Sequence, residues 1–146
     1  KLHLSKDYFE GQRLSYHDPC YLGRANGEYD APRQVIGKLA SDFKELKRNK
    51  SFALCCGAGG GQMFKEAEPG DKEVFIERTE DVIDAGEDII VTACPYCMVM
   101  MTDGLKYKNK EVSMCEQIIQ ISIKVIHLPA IESENPLLSL VWNLGR

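Results

Sequence analysis

No stretch of this sequence approaches the eighteen or so uninterrupted apolar residues that a bilayer-spanning helix needs. The most apolar late segment, Ile118 to Ile131, is broken by Gln120, Lys124 and His127, so no membrane span is expected within the chain. Blocks of like charge are also missing. With 18 basic residues against 22 acidic ones and a formal charge of −4, neither nucleic acid nor an anionic membrane surface is an expected partner. Nucleotide signatures fail as well: the run Gly57-Ala58-Gly59-Gly60-Gly61 puts Gln62 where a dinucleotide fingerprint needs its last glycine, and no Gly-Lys-Ser/Thr follows for a phosphate loop. The start, Lys1-Leu2-His3-Leu4, has neither an initiator Met nor the basic-then-apolar layout of a signal peptide, so a piece of a longer protein is expected. Its 146 residues and 44% hydrophobic content suffice for one domain with a core of its own.

What the sequence does have is cysteine, six residues of it, five in clusters. A cytoplasmic setting is expected, extending to the inner face of a membrane through parts of a parent protein. There, clustered cysteines more often mean metal or redox chemistry than structural disulfides. The adjacent pair Cys55-Cys56, in FALCCGAGGG, could close no loop and would form only a strained bond.

The spacing places these cysteines at ends of apolar runs. Arg13 to His17 alternates like a short strand and runs through Asp18-Pro19 into Cys20. Val35, Ile36, Leu39, Ala40 and Phe43 have helical spacing from Arg33, with Pro32 suited to the first turn. Ser51 to Leu54 is a short apolar run, expected as a strand that stops at Cys55-Cys56. Phe75, Thr79, Val82, Ile83 and Gly86 predict an amphipathic helix, and Asp88 to Ala93 a buried strand delivering the chain to Cys94-Pro95-Tyr96-Cys97. Pro95 then opens a helix whose inner face is Cys97 or Met98, Met101 and Leu105. The expected fold class is α/β, a small parallel sheet flanked by helices, with the cysteine site at the carboxyl ends of the strands. Gaps of 34 residues between Cys20 and Cys55, and 37 between Cys56 and Cys94, leave room for helical crossovers.

Chemically, this pattern reads as a thiolate cage. A helix opening at Cys94-x-x-Cys97 turns both sulfurs to one side and its dipole favours thiolate. Gly57, Gly59, Gly60 and Gly61 let backbone N–H groups come close to a bulky anionic group. Five clustered cysteines exceed the four that close a tetrahedral zinc shell, which tilts the choice towards iron–sulfur. A structural zinc module and a metal-free Cys94/Cys97 dithiol remain as alternatives. Cys115, without partner spacing, reads as an ordinary small apolar residue, and His17 and Asp18 as strand-end residues that could tune protonation.

The wording YHDPCYLGR (Tyr16 to Arg24), YDAPR (Tyr29 to Arg33), CCGAGGG (Cys55 to Gly61) and TACPYCMVMMTDGL (Thr92 to Leu105) resembles the CCG cysteine-rich domain of heterodisulfide reductase-related iron–sulfur oxidoreductases, in the branch associated with electron transfer flavoproteins. The resemblance implies metal ligands at Cys20, Cys55, Cys56, Cys94 and Cys97, holding a [4Fe-4S]-type cluster of noncubane form; some relatives bind zinc through such a domain. It also implies an electron-transfer role beside a flavoprotein donor, other iron–sulfur modules of the parent protein, and a quinone or disulfide acceptor. On this reading residues 1–110 are the CCG-type domain, and 111–146 a divergent C-terminal extension of it, its packing open.

Overall fold

The structure, a computed structural model, describes residues 9–67 and 69–108 and the backbone of Cys115–Gln117. The alternating run Leu14–His17 forms β1, and the β-branched run Ile89–Thr92 forms β2. They pair in parallel, Leu14 opposite Ile89 and His17 opposite Thr92. A third strand, β3 (Cys115–Gln117), pairs in parallel with the other side of β2. Beyond β1, Phe43 makes a single parallel bridge to Leu14, so the segment after the first helix returns to the sheet without forming a strand. The rest of 111–146 lies outside the described residues.

Every residue of β1 and β2 is buried, as expected where helices cover both faces of a parallel sheet. Successive side chains in a strand point to opposite faces, so the sheet carries two cores. On one face Leu14, Tyr16, Ile89 and Val91 pack with Phe9 and with Ile36 and Leu39 of α1 (Asp30–Leu39). On the other, Ile90 packs with Leu46, Cys56 and Ala58, with Val82 of α2 (Val74–Ala85), and with Cys97 and Met101 of α3 (Pro95–Tyr107). Helix α1 starts at Asp30, which leaves Pro32 inside the first turn, where its missing N–H costs nothing. Helix α2 stops at Gly86, which takes the left-handed conformation (φ 71°) natural to a C-terminal glycine.

The expected strand at Ser51–Leu54 is not formed. Lys50–Phe52 is a 3₁₀ turn, the following residues are irregular, and Phe52 is 86% exposed. Side chains have taken the backbone groups a ladder would need: Asp18 accepts the Lys50 N–H at 2.8 Å, and Arg24 Nη1 donates to the Ala53 carbonyl at 2.7 Å. The doublet Cys55-Cys56 therefore arrives on a clamped loop rather than at a strand end.

Helices α2 and α3 pack tightly at Gly104, where an added Cβ would lie 2.0 Å from Thr79 Oγ1 and 3.0 Å from Thr79 Cβ. Alanine is the better helix former by about 1 kcal/mol. Even so, Gly104→Ala is expected to destabilise the fold by about 1–3 kcal/mol through overpacking. A lowered urea midpoint checks this; an unchanged or raised midpoint would mean that the two helices separate freely.

Candidate metal centre

Parallel pairing aligns the carboxyl ends of β1 and β2, and the chain leaving each supplies a cysteine. After His17, Asp18-Pro19 leads to Cys20, which sits exposed at the start of a π-helical turn, Tyr21–Ala25. After Thr92, Cys94 caps the start of α3, and Thr92 Oγ1 accepts its backbone N–H at 3.4 Å. Cys97 lies in the first turn of that helix and is buried. Cys56 meets it from the clamped loop within the same core.

These sulfurs border one cavity of about 640 Å³. Cys20, Cys56, Cys94 and Cys97 all line it, as do Gly59, Gly60 and Gly61. Gly60 and Gly61 take positive φ (65° and 74°), and each has open space where a side chain would stand. Gly57 does something else: its φ of 89° turns the chain, and a Cβ there would meet the Phe75 backbone nitrogen at 3.3 Å. Cys55 is absent from the cavity wall. Its Sγ accepts the Gly57 N–H at 3.4 Å.

The five clustered cysteines are free thiols. Hydrogen bonding to Cys56, together with burial, holds the Cys55 thiol well above the ordinary range. For Cys56, the bond from Cys55 pulls downward, but the bond with Cys97 and burial outweigh it and leave the thiol at about 11. The doublet therefore stays protonated near neutral pH, and a metal bound there must displace protons. The donor set suits a thiophilic group: several sulfurs face one largely apolar space, and a glycine wall leaves room for it.

Side chains that the sequence reading left at the margin brace this site. Asp18 accepts Arg33 Nη1 and Nη2 at 2.8 and 3.0 Å as well as the Lys50 N–H, tying the Cys20 segment to α1 and to the loop ahead of the doublet. Arg24 and Arg33 thus act as clamps between chain segments. Sequence reasoning missed Arg78 altogether. It is 0% exposed and its Nε donates to His17 Nδ1 at 3.0 Å. Its position, three residues after Phe75 and four before Val82, places it on the inner stripe of α2, which was the available signal. Burial, reinforced by the Arg78 charge, pushes the His17 imidazole down to about 3, so it is neutral at physiological pH.

The CCG cysteine-rich domain family matches residues 14–102. The chain belongs to that family. Over 109 residues this CCG domain is 39% identical to the EtfAB:quinone oxidoreductase of Syntrophomonas wolfei, covering 70% of the chain and 15% of that protein. The iron-sulfur-binding oxidoreductase FadF of Bacillus subtilis, so named with the qualifier "probable", is 39% identical over 101 residues, 68% of the chain and 14% of the relative. A component of the dihydromethanophenazine:CoB--CoM heterodisulfide reductase of Methanosarcina barkeri is 36% identical over 117 residues, 79% of the chain and 28% of that component. The chain thus spans well under a third of the length of these relatives. No helix among the described residues is long and apolar enough to cross a membrane.

Because Asp18 is buried and carries three donated N–H groups, Asp18→Asn is expected to cost about 3 kcal/mol, as loss of one partner of a buried ion pair does. The exposed Asp103–Lys106 pair is the control, and Asp103→Asn should leave the urea midpoint almost unchanged. Equal effects at the two positions would contradict the bracing role given to Asp18.

Proposed function

We propose that this CCG domain is the electron-transfer module of a larger iron–sulfur oxidoreductase and holds a [4Fe-4S]-type cluster, of noncubane form, through Cys20, Cys55, Cys56, Cys94 and Cys97. The observation that carries the reading is the convergence of four of these cysteines, from three separate chain segments, on one cavity with a glycine wall. Cys55 is the fifth ligand, adjacent to Cys56 and outside the wall in the protonated state. Relatives named as iron–sulfur-binding and heterodisulfide-reducing proteins support the same chemistry. When bound, such a cluster accepts and releases single electrons. The protein's part is to gather the thiolates, aim Gly59–Gly61 backbone at the group, and keep the space around it largely apolar.

The electron donor on this reading is a flavoprotein of the electron transfer flavoprotein type. Other iron–sulfur modules of the parent protein relay the electrons to a quinone or disulfide acceptor. The names of the Syntrophomonas and Methanosarcina relatives favour these partners. Residues 1–110 would form the cluster-binding unit and 111–146 its C-terminal extension, with β3 contributing an edge strand to the sheet. A cytoplasmic location suits five cysteines kept as free thiols.

Anaerobic reconstitution with iron and sulfide tests this. The expected product is brown, contains about four irons per chain as the cluster stoichiometry requires, and gives an EPR signal in one oxidation state. Cys20→Ser, Cys56→Ser, Cys94→Ser and Cys97→Ser should each lose most of the cluster. Cys55→Ser should change the EPR signal or the iron content. A colourless protein with one zinc would replace electron transfer with a structural role, and a Cys55→Ser variant identical to the parent would reduce the ligand set to four.

A further inference from the structure

Among the described residues the largest fully buried side chain is a charged one, Arg78. Its charge is only partly answered. Nη1 donates to the Arg48 carbonyl at 2.8 Å and reaches Asp81 Oδ2 at 3.2 Å, but Asp81 also takes the Arg48 guanidinium at 2.6 and 2.7 Å. Nη2 has no hydrogen-bond partner among the described residues. Taking such a cation out of water costs several kcal/mol. A nearby anion would offset that cost.

The one remaining guanidinium contact leads to the cysteines. Arg78 Nε donates to His17 Nδ1, and a His17 ring nitrogen, Cys56 Sγ and Cys97 Sγ all lie within 4.8 Å of one another. By composition this buried triad is a metal-ligand group. The hydrogen bond argues otherwise: Nδ1 spends its lone pair on the Arg78 N–H, so a neutral ring carries its proton on Nε2. Neither nitrogen then offers a lone pair to a metal. What His17 has left is an N–H to donate.

We propose that, with a cluster bound at Cys56 and Cys97, His17, its tautomer fixed by Arg78, donates its Nε2–H to the cluster's sulfurs and raises its reduction potential. The inference rests on the iron–sulfur reading above. One electron, supplied by the partner donor, makes the cluster sulfurs more negative, so a hydrogen bond to sulfur stabilises the reduced form more than the oxidised one. No proton needs to move. Arg78 is a positioning residue, acting through the ring it orients and through a charge that the thiolate site partly answers.

The test compares the anaerobically reconstituted chain, labelled with ¹⁵N-histidine, with His17→Phe, His17→Gln and Arg78→Lys. Each is read by redox potentiometry and by pulsed EPR of the reduced cluster. In the parent a weak nitrogen coupling is expected, lost in His17→Phe. That variant should reach the same reduced fraction only when the poise is about tenfold more reducing, which is about 59 mV for one electron. His17→Gln keeps an N–H donor and should recover part of the shift, with Arg78→Lys also falling between parent and His17→Phe. Should His17→Phe fail to fold, the Gln and Lys variants carry the comparison. A coupling large enough for direct nitrogen coordination overturns the proposal. So does an unchanged potential in variants with full cluster content. In the metal-free protein, long-range ¹H–¹⁵N NMR should find the proton on Nε2, and a proton on Nδ1 overturns the proposal independently of any cluster. A parent that takes up no cluster at all brings down the iron–sulfur reading and this inference together, which distinguishes that failure from an unchanged potential.

Discussion

In-register parallel pairing of Leu14–His17 with Ile89–Thr92 decides where the cysteines can be. Parallel strands end on the same edge, so the chain leaving β1 towards Cys20 and the chain leaving β2 into Cys94 must emerge side by side. A one-residue slip of β1 against β2 would invert the faces of β1: Leu14 and Tyr16 would leave the α1 core, and His17 would turn away from Arg78. The register is therefore fixed twice, by the apolar residues packed beneath α1 and by the polar pair reaching α2. Cys20, Cys94 and Cys97 are hung from that edge.

The third segment needs a different device, because no strand carries it. Asp18, two residues before Cys20, binds Arg33 and the Lys50 backbone, while Arg24, four residues after Cys20, holds the Ala53 carbonyl. Two ionic side chains on either side of the first cysteine thus locate the loop that delivers the doublet. This couples the position of Cys20 to that of Cys56 through short, buried or half-buried hydrogen bonds. Backbone groups near the site are thereby given fixed partners, which keeps the cavity shaped before anything binds.

Periodicity made much of this legible. The helices around Val35–Leu39 and Phe75–Ile83, the strand at Asp88–Ala93 and the helix opened by Pro95 all form close to the expected boundaries, and the CCG motif led directly to the family. The failure at Ser51–Leu54 has a local cause: apolar content resembles a strand, but strand formation needs free backbone donors and acceptors, and Asp18 and Arg24 claim them from a distance in sequence. Arg78 was hidden for the opposite reason. A charged residue on an apolar stripe reads as a solvated position unless its buried acceptor is known, and His17 lies far away in the chain. Of the site, the cysteines were visible, His17 and Asp18 were visible without their partners, and Arg78 was not visible at all.

The doublet joins these points. The two thiols stay together: Cys56 lines the cavity and is hydrogen-bonded to both Cys97 and Cys55, while Cys55 also accepts the Gly57 N–H and stays out of the wall. Gly57 already takes a φ of 89°, and Gly60 and Gly61 follow with positive φ in open space, so the chain beyond the doublet is free to bend without side-chain conflict. The glycine run thus leaves room at the cavity wall, and on the proposed five-ligand reading it would also let Cys55 give up its bond with the Gly57 N–H and turn to the cavity with Cys56. That exchange would turn the four-sulfur wall into the proposed five-sulfur cage.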